Sequence, residues 1–220
     1  MVIPVSFRAV SDRVAAAAAR AGRDPDEVTL IVITKGRDTE QIRRLYDQGV
    51  RDFGENRAQE LASKVGDLPG DVRWHFVGPL QTNKVNRVRA STHLLHSLDR
   101  PRLVRAWASN TPRGVPALAQ VNIGGEAQKH GAAPDEAEAL VAMALAEGVE
   151  VRGLMAMAPR VDHPEEARPY FRRLRRLSER LAGRFQGMEE LSMGMTEDYE
   201  IAVEEGATMV RVGRAIFGGT

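Results

Sequence analysis

The sequence predicts a single (β/α)8 barrel with an extra N-terminal helix, and three observations predict it. Short apolar runs alternate with amphipathic stretches along the whole chain. Eight such runs occur, and repeated strand–helix units imply a parallel sheet that eight strands favour closing. The 220 residues fall near the lower end of the roughly 200 to 400 residues of such barrels, and no Pro/Ser-rich linker divides them. One domain over residues 1–220 is therefore expected, with an open doubly wound sheet as the alternative.

Each element follows from its periodicity. Ser6 to Ala21 is helical, with Phe7, Val10, Val14, Ala17 and Ala21 on one side and Gly22 as a stop. Val28 to Ile33 is a buried strand, followed by a helix from Thr39 to Gln48 that Gly49 closes. Val50 to Phe53 is the second strand and Arg57 to Val65 the next helix; Arg73 to Val77 is the third strand. A helix over Thr82 to Arg89, a strand over His93 to Ser97 and a helix over Arg100 to Ser109 continue the pattern. Val115 to Val121 is strand five, Asp135 to Ala146 an amphipathic helix, and Val149 to Met155 strand six. Phe171, Leu174, Leu177 and Leu181 mark the next helix, whose start is left open because Pro169 disfavours a helix interior. Glu190 to Ser192, a helix over Glu197 to Glu205, and Met209 to Val212 complete the set.

Composition narrows the function. Thirty-one basic and thirty acidic side chains leave a formal charge of +1, which gives no global pull toward nucleic acid or a membrane surface. The chain has no cysteine, so disulfides, thiolate metal sites and a cysteine nucleophile are excluded. The histidines lack metal-binding spacing, and no metal is expected. No apolar run approaches the roughly 20 residues of a membrane span. Met1 to Ser6 lacks the basic start and apolar stretch of a signal peptide, so a cytoplasmic location is the expectation. The arginines at 168, 172, 173, 175, 176, 180 and 184 flank a leucine stripe and read better as a solvated outer face than as an RNA-binding one.

In a (β/α)8 barrel the working residues lie where strands end. Strand one ends in Thr34-Lys35, strand two in Gly54-Glu55-Asn56-Arg57, strand five at Asn122, strand seven in Ser192-Met193-Gly194-Met195 and strand eight in Arg211-Val212-Gly213-Arg214. A lysine directly after an apolar strand is held against the barrel mouth, where partial burial would disfavour its ammonium form and free the amine for a carbonyl. By position alone, a snorkelling strand-end lysine is the commoner case. The glycine-bearing loops after strands seven and eight fall where barrels bind phosphate. An aldehyde bearing a phosphate fits a lysine at the first strand and a phosphate cup at the last two. His75, on strand three, reads by itself as a hydrogen-bonded core histidine. Met155 and Met157 read as core filling.

The segments FGENRAQE (53 to 60), WHFVGPLQTNK (74 to 84), HSLD (96 to 99), QVNIGGEAQKHG (120 to 131), GLMAMAP (153 to 159) and LSMGMTEDYEIAVEEGATMVRVGRAIFG (191 to 218), with Thr34-Lys35, resemble the pyridoxal phosphate homeostasis protein family. The likeness runs in order over nearly the whole chain. The family is similar to the N-terminal barrel of alanine racemase but lacks its second, β-rich domain. The resemblance implies that pyridoxal 5′-phosphate is held as a Schiff base on Lys35, that Asn56 and His75 line the ring side, and that Ser192, Met193, Gly194 and Met195 form one phosphate loop. Gly213 and Arg214 form the other, and Arg211 faces the pyridine nitrogen. It also implies a role in vitamin B6 and amino-acid homeostasis without an established reaction, with no catalytic residues assigned. The alternative is an amino-acid racemase or related Schiff-base enzyme. Apo-enzymes that receive the cofactor are the expected partners, and a monomer the expected state. Where relatives commonly carry a hydroxyl, this chain has Arg214, whose guanidinium can either bond phosphate or turn to solvent.

Overall fold

The computed structural model describes residues 6–109, 115–126 and 128–218. Met1 to Val5 of the N-terminal reading, Ala127 of the segment after strand five, and Gly219–Thr220 lie outside the described residues. Eight parallel strands close in sequence order into a barrel: β1 (Thr29–Ile33), β2 (Asp52–Glu55), β3 (Arg73–Phe76), β4 (Leu94–Leu98), β5 (Ala117–Val121), β6 (Val151–Ala156), β7 (Glu190–Ser192) and β8 (Met209–Val212). Helices α1 (Phe7–Arg20), α2 (Thr39–Tyr46), α3 (Ala58–Val65), α4 (Val85–Arg89), α5 (Pro101–Ala108), α6 (Ala137–Ala146), α7 (Arg168–Ala182), α8 (Tyr199–Glu204) and α9 (Arg214–Phe217) surround it. The expected barrel with an extra first helix is the observed fold. No described helix is long and apolar enough to cross a membrane.

Local chemistry accounts for the elements. Ser6 caps α1 by accepting from the Ala9 amide, and Val10, Val14, Ala17 and Ala18 form its buried side. Asp38 and Gln41 make a reciprocal capping box at the start of α2. Pro169 sits in the first turn of α7, where a missing N–H costs nothing, after a 3-10 turn over Pro164–Ala167. This settles the start that the sequence left open.

The expected second and sixth strands begin two residues early. The Val50 amide donates back to the Leu45 carbonyl at 3.1 Å and Val149 to Ala144 at 2.9 Å. Both valines belong to the closing turn of the preceding helix, and the strands start only at Asp52 and Val151. An apolar residue after a helix-ending glycine packs back on its helix, a pattern that period alone reads as strand.

Side-chain alternation divides the interior. Ile31, Leu94, Leu118, Met155 and Met209 cluster inside the barrel with Ile33 and Met157 against them, as the core reading of the two methionines expects. The larger apolar core lies between the strands and the helices, with Phe53, Leu61, Trp74, Phe171 and Val210 among its members. One ion pair is buried in this outer layer. Lys64 of α3 donates to the Glu55 carboxylate at 2.5 Å and to the Thr34 carbonyl at 2.8 Å. The Thr34 hydroxyl donates to the same carboxylate oxygen at 2.5 Å.

Glu55 is fully buried and Lys64 nearly so. Removing one partner strands the other charge without water, whereas replacing both by apolar groups does not. Lys64→Met is expected to lower unfolding free energy by about 3 to 5 kcal/mol in urea denaturation. Glu55→Leu combined with Lys64→Met should lose less than the single change. A neutral Lys64→Met would show that the pair is not carrying this layer.

Candidate functional site at the barrel mouth

The C-terminal ends of the strands gather most of the residues singled out from sequence. Lys35 follows Ile33 by two residues and so continues the inward alternation of β1 into the mouth. It is exposed at the end of the strand, so the partial burial expected of it is not observed. Its backbone is nonetheless fixed. Thr34 is held by Glu55 and Lys64 as above, and the Gly36 amide donates to Glu60 Oε2 at 2.8 Å. Arg37 donates to the Gly218 carbonyl at 2.6 Å and lies over the Phe217 ring at 5.1 Å. Sequence reading placed Glu55 at a strand end without a role and missed Glu60, Lys64 and Arg37, all drawn to this one loop.

β1 pairs with β8 in the register Ile31 to Arg211 and Val32 to Val212, which places Ile33 beside Gly213. A Cβ on Gly213 would stand 3.0 Å from the Ile33 carbonyl oxygen. Gly194, at φ +90°, could carry no side chain either: a Cβ there would lie 2.5 Å from that of Ala202. Around these glycines, the amides of Gly194, Gly213, Arg214 and Ala215 have no acceptor among the described residues, while Ile216 and Phe217 donate back to the Gly213 carbonyl. The Met195 amide donates instead to Asp198 Oδ1 at 2.7 Å. Met193 is a core side chain, so only its backbone can serve the loop; Met195 is 37% exposed. Of the two directions open to Arg214, the structure has the outward one. Its side chain is 67% exposed and donates to Glu197 at 2.8 Å.

Asn56 stands at the end of β2 with a buried amide oxygen that has no hydrogen-bond partner among the described residues. Asn122, at the end of β5, has the same feature, its nitrogen donating to the Glu126 carbonyl at 2.8 Å. Buried orphan acceptors are uncommon and mark places where a further group can bind.

The floor of the site is a hydrogen-bonded chain through the barrel interior. Arg211 of β8 is buried and donates to the Ser192 hydroxyl at 2.5 Å and to the Ala156 carbonyl at 3.0 Å. Ser192 Oγ lies 2.9 Å from His96 Nδ1, His96 Nε2 lies 2.9 Å from His75 Nδ1, and His75 Nε2 lies 3.0 Å from Asp52 Oδ1. Arg73 Nε donates to the same Asp52 oxygen at 2.8 Å. Burial pushes Arg211 down to about 10, with Asp198 opposing, so it stays cationic at neutral pH. Burial, with repulsion from His75, Arg211 and His93, holds His96 well below its ordinary value. Burial alone would raise the Asp52 carboxyl, but hydrogen bonds from Arg73 and His75 keep it well below the usual carboxylate range. His75 thus has both ring nitrogens engaged inside the barrel rather than free at the mouth. His96 and Asp52 were missed from sequence.

The described residues contain no cluster of metal-ligating side chains. Several arginines on and just after α7 are paired: Arg168 with Glu165, Glu204 and Glu205, Arg172 with Glu205, and Arg184 with Glu138. That supports the solvated-face reading over RNA binding.

The family described as alanine racemase, N-terminal domain, matches residues 5–220. The pyridoxal phosphate homeostasis protein of Aquifex aeolicus is 42% identical over 217 residues, which cover 95% of this chain and 94% of that protein. An unknown protein from Bifidobacterium adolescentis superposes with a TM-score of 0.89 at 34% identity, covering 96% of this chain and 92% of its own. PipY of Synechococcus elongatus PCC7942, solved with PLP bound, superposes with a TM-score of 0.78 at 33% identity, covering 95% of this chain and 100% of its own. With the barrel, the mouth lysine and these full-length likenesses in agreement, the chain belongs to the alanine racemase N-terminal domain family, among the pyridoxal phosphate homeostasis proteins.

Proposed function

We propose that the protein binds pyridoxal 5′-phosphate at the barrel mouth as a Schiff base on Lys35, and holds it for vitamin B6 and amino-acid homeostasis rather than turning over a substrate. The observation that carries this reading is the placement of Lys35 across the β1–β8 seam from the unpaired amides of Gly194, Gly213, Arg214 and Ala215. An amine and an anion cup at that separation in the fold suit a phosphorylated aldehyde. The PLP-bound state of PipY and the names of the curated relatives support it.

The residues present fit the group. The backbone amides take the phosphate. Asn56 can turn its unpaired oxygen or its amide nitrogen to a ring hydroxyl. Arg211, fixed by Ser192 and the Ala156 carbonyl, keeps N–H groups in reserve that would donate to the ring nitrogen. When bound, the cofactor supplies an aldehyde that condenses with amines and a ring that can withdraw electrons. A guanidinium beside the ring nitrogen donates a hydrogen bond but gives up no proton at neutral pH, which keeps that nitrogen unprotonated and the ring a weak electron sink. No tyrosine is placed to act as a second base among the described residues. Tyr46 lies on α2 with its hydroxyl on Asp71, and Tyr170 lies on α7. Tyr199, though next to Gly194, turns its ring beneath Arg13 of α1. Apo-enzymes that accept the cofactor are the partners this role implies, and a monomer suffices for it.

Borohydride reduction of the protein loaded with pyridoxal 5′-phosphate, followed by peptide mapping, should place the pyridoxyl group on Lys35. Modification confined to Lys64, Lys84 or Lys129 would falsify the assignment.

Incubation with alanine in deuterated water should give no α-carbon exchange above that of the free cofactor. Exchange that depends on the protein and vanishes in Lys35→Ala would revive the racemase reading.

With Arg214 paired outward to Glu197, the phosphate rests on backbone amides. Arg214→Ala should therefore change pyridoxal 5′-phosphate affinity by less than about threefold, as an exposed ion pair contributes little. A loss of about tenfold or more, absent for unphosphorylated pyridoxal, would show that Arg214 turns inward onto the phosphate.

A further inference from the structure

The chain from Arg211 to Asp52 has a direction that its partners fix. Arg211 can only donate, so Ser192 Oγ accepts from it. The Ser192 proton then has one partner among the described residues, His96 Nδ1. With Nδ1 accepting, a neutral His96 carries its proton on Nε2 and donates to His75 Nδ1. His75 in turn donates from Nε2 to Asp52 Oδ1. Every group is satisfied once, and the whole line runs from cation to carboxylate. The opposite arrangement, with His75 doubly protonated and donating to His96, makes His96 Nδ1 a donor as well. The Ser192 hydroxyl would then have no acceptor at a fully buried position, which buried sites disfavour. His93 packs edge-on against His75, with ring centroids 5.7 Å apart, and makes no hydrogen bond to the line.

Asp52 opens β2 at the opposite end of the strand from Asn56. It lies far from any group that can touch a ligand at the mouth, yet it terminates the line that orients the guanidinium there. We propose that Asp52 is a positioning residue: as final acceptor it locks His75, His96 and Ser192 in one proton arrangement and thereby fixes Arg211 for the ring of the bound cofactor. The proposal rests on the functional reading above for its ligand, but the proton arrangement belongs to the protein alone. Arg73 holds Asp52 without being part of the line, and so separates a local role at the barrel floor from transmission to Arg211.

The test has two arms, both on the full chain. The first is nitrogen NMR of histidine-labelled protein without ligand. His75 and His96 should both be neutral with the proton on Nε2, and Asp52→Ala should disturb both rings. A doubly protonated His75, or a His96 that ignores Asp52→Ala, overturns the line. The second arm is titration with pyridoxal 5′-phosphate, read by affinity and by the absorption maximum of the bound ligand. Asp52→Ala should weaken binding about fivefold and shift the maximum, as loss of a coupled network member does. Asp52→Asn, which keeps an acceptor for His75, should restore most of both. Arg73→Ala should leave both within about twofold, since Arg73 is itself half-exposed and stands outside the line that leads to Arg211. In an Arg211→Gln background, Asp52→Ala should add nothing further, because its effect is transmitted through Arg211. Equal losses for Arg73→Ala and Asp52→Ala, or additive losses with Arg211→Gln, overturn the proposal in favour of a merely structural carboxylate. Wild-type protein that takes up no pyridoxal 5′-phosphate fails the functional reading instead, and the NMR arm then decides the line by itself.

Discussion

Four residue pairs between Thr29–Val32 of β1 and Met209–Val212 of β8 close the barrel, and the site depends on that seam. Lys35 lies near the start of the chain and the amides of Gly194, Gly213, Arg214 and Ala215 near its end. Nothing local brings them together. The seam sets β1 one strand spacing, roughly 4.8 Å, from β8, with β7 next along, and forms only by closing almost the whole chain into a loop. Further contacts reinforce it. Arg37 reaches from the loop after β1 to the Gly218 carbonyl, and Arg23 from the turn after α1 bonds the carbonyls of Val203 and Ala207 ahead of β8. The extra first helix packs on α8 and α9, the last helices of the fold. It covers the side of the barrel where the two ends meet.

The buried polar groups obey one rule in two places. Glu55 and Lys64, outside the barrel wall, neutralise each other and spend their remaining capacity on the Thr34 hydroxyl and carbonyl. Inside the wall, Arg211 and Asp52 are joined through Ser192, His96 and His75, each within hydrogen-bond distance of the next. In both, a charge removed from water keeps its hydrogen bonds, which is the condition for tolerating it. The two systems sit on opposite faces of β2, Asp52 turned inward and Glu55 outward, so a strand of four residues supplies an acceptor to each.

Much of this was legible in the sequence. The strand–helix alternation predicts the barrel, and the expectation that function lies at strand ends points to Lys35, Asn56 and the loops at Gly194 and Gly213. Element boundaries were less legible where an apolar residue after a helix-ending glycine resembles a strand, as at Val50 and Val149. The direction of Arg214 was open because it depends on Glu197, whose placement is a property of the folded loop. His96 and Asp52 escaped notice for a physical reason: their partners come from different strands, and only the closed register puts them on one line. The signal was nonetheless present. Asp52, His75, His96, Ser192 and Arg211 are polar residues at inward positions, and a barrel interior has few of those to offer.

The floor and rim of the mouth differ in their freedom. Ser192, His96 and Arg211 are buried and hydrogen-bonded to one another, so they cannot rearrange without stranding a polar group. Lys35, Met195 and Arg214 are exposed. A rigid base fixes where a ring nitrogen and a phosphate are received, because its donors are set before any ligand arrives. An exposed rim lets water and other amines reach the lysine that would hold the aldehyde. Enzymes that carry out chemistry on a bound group commonly close over it to exclude water. Under the proposed function, an aldehyde held on the exposed Lys35 would stay open to exchange with other amines. On the same proposal, a pre-organised floor beneath and an exposed Lys35 above would keep a reactive aldehyde in a defined place while leaving it exchangeable.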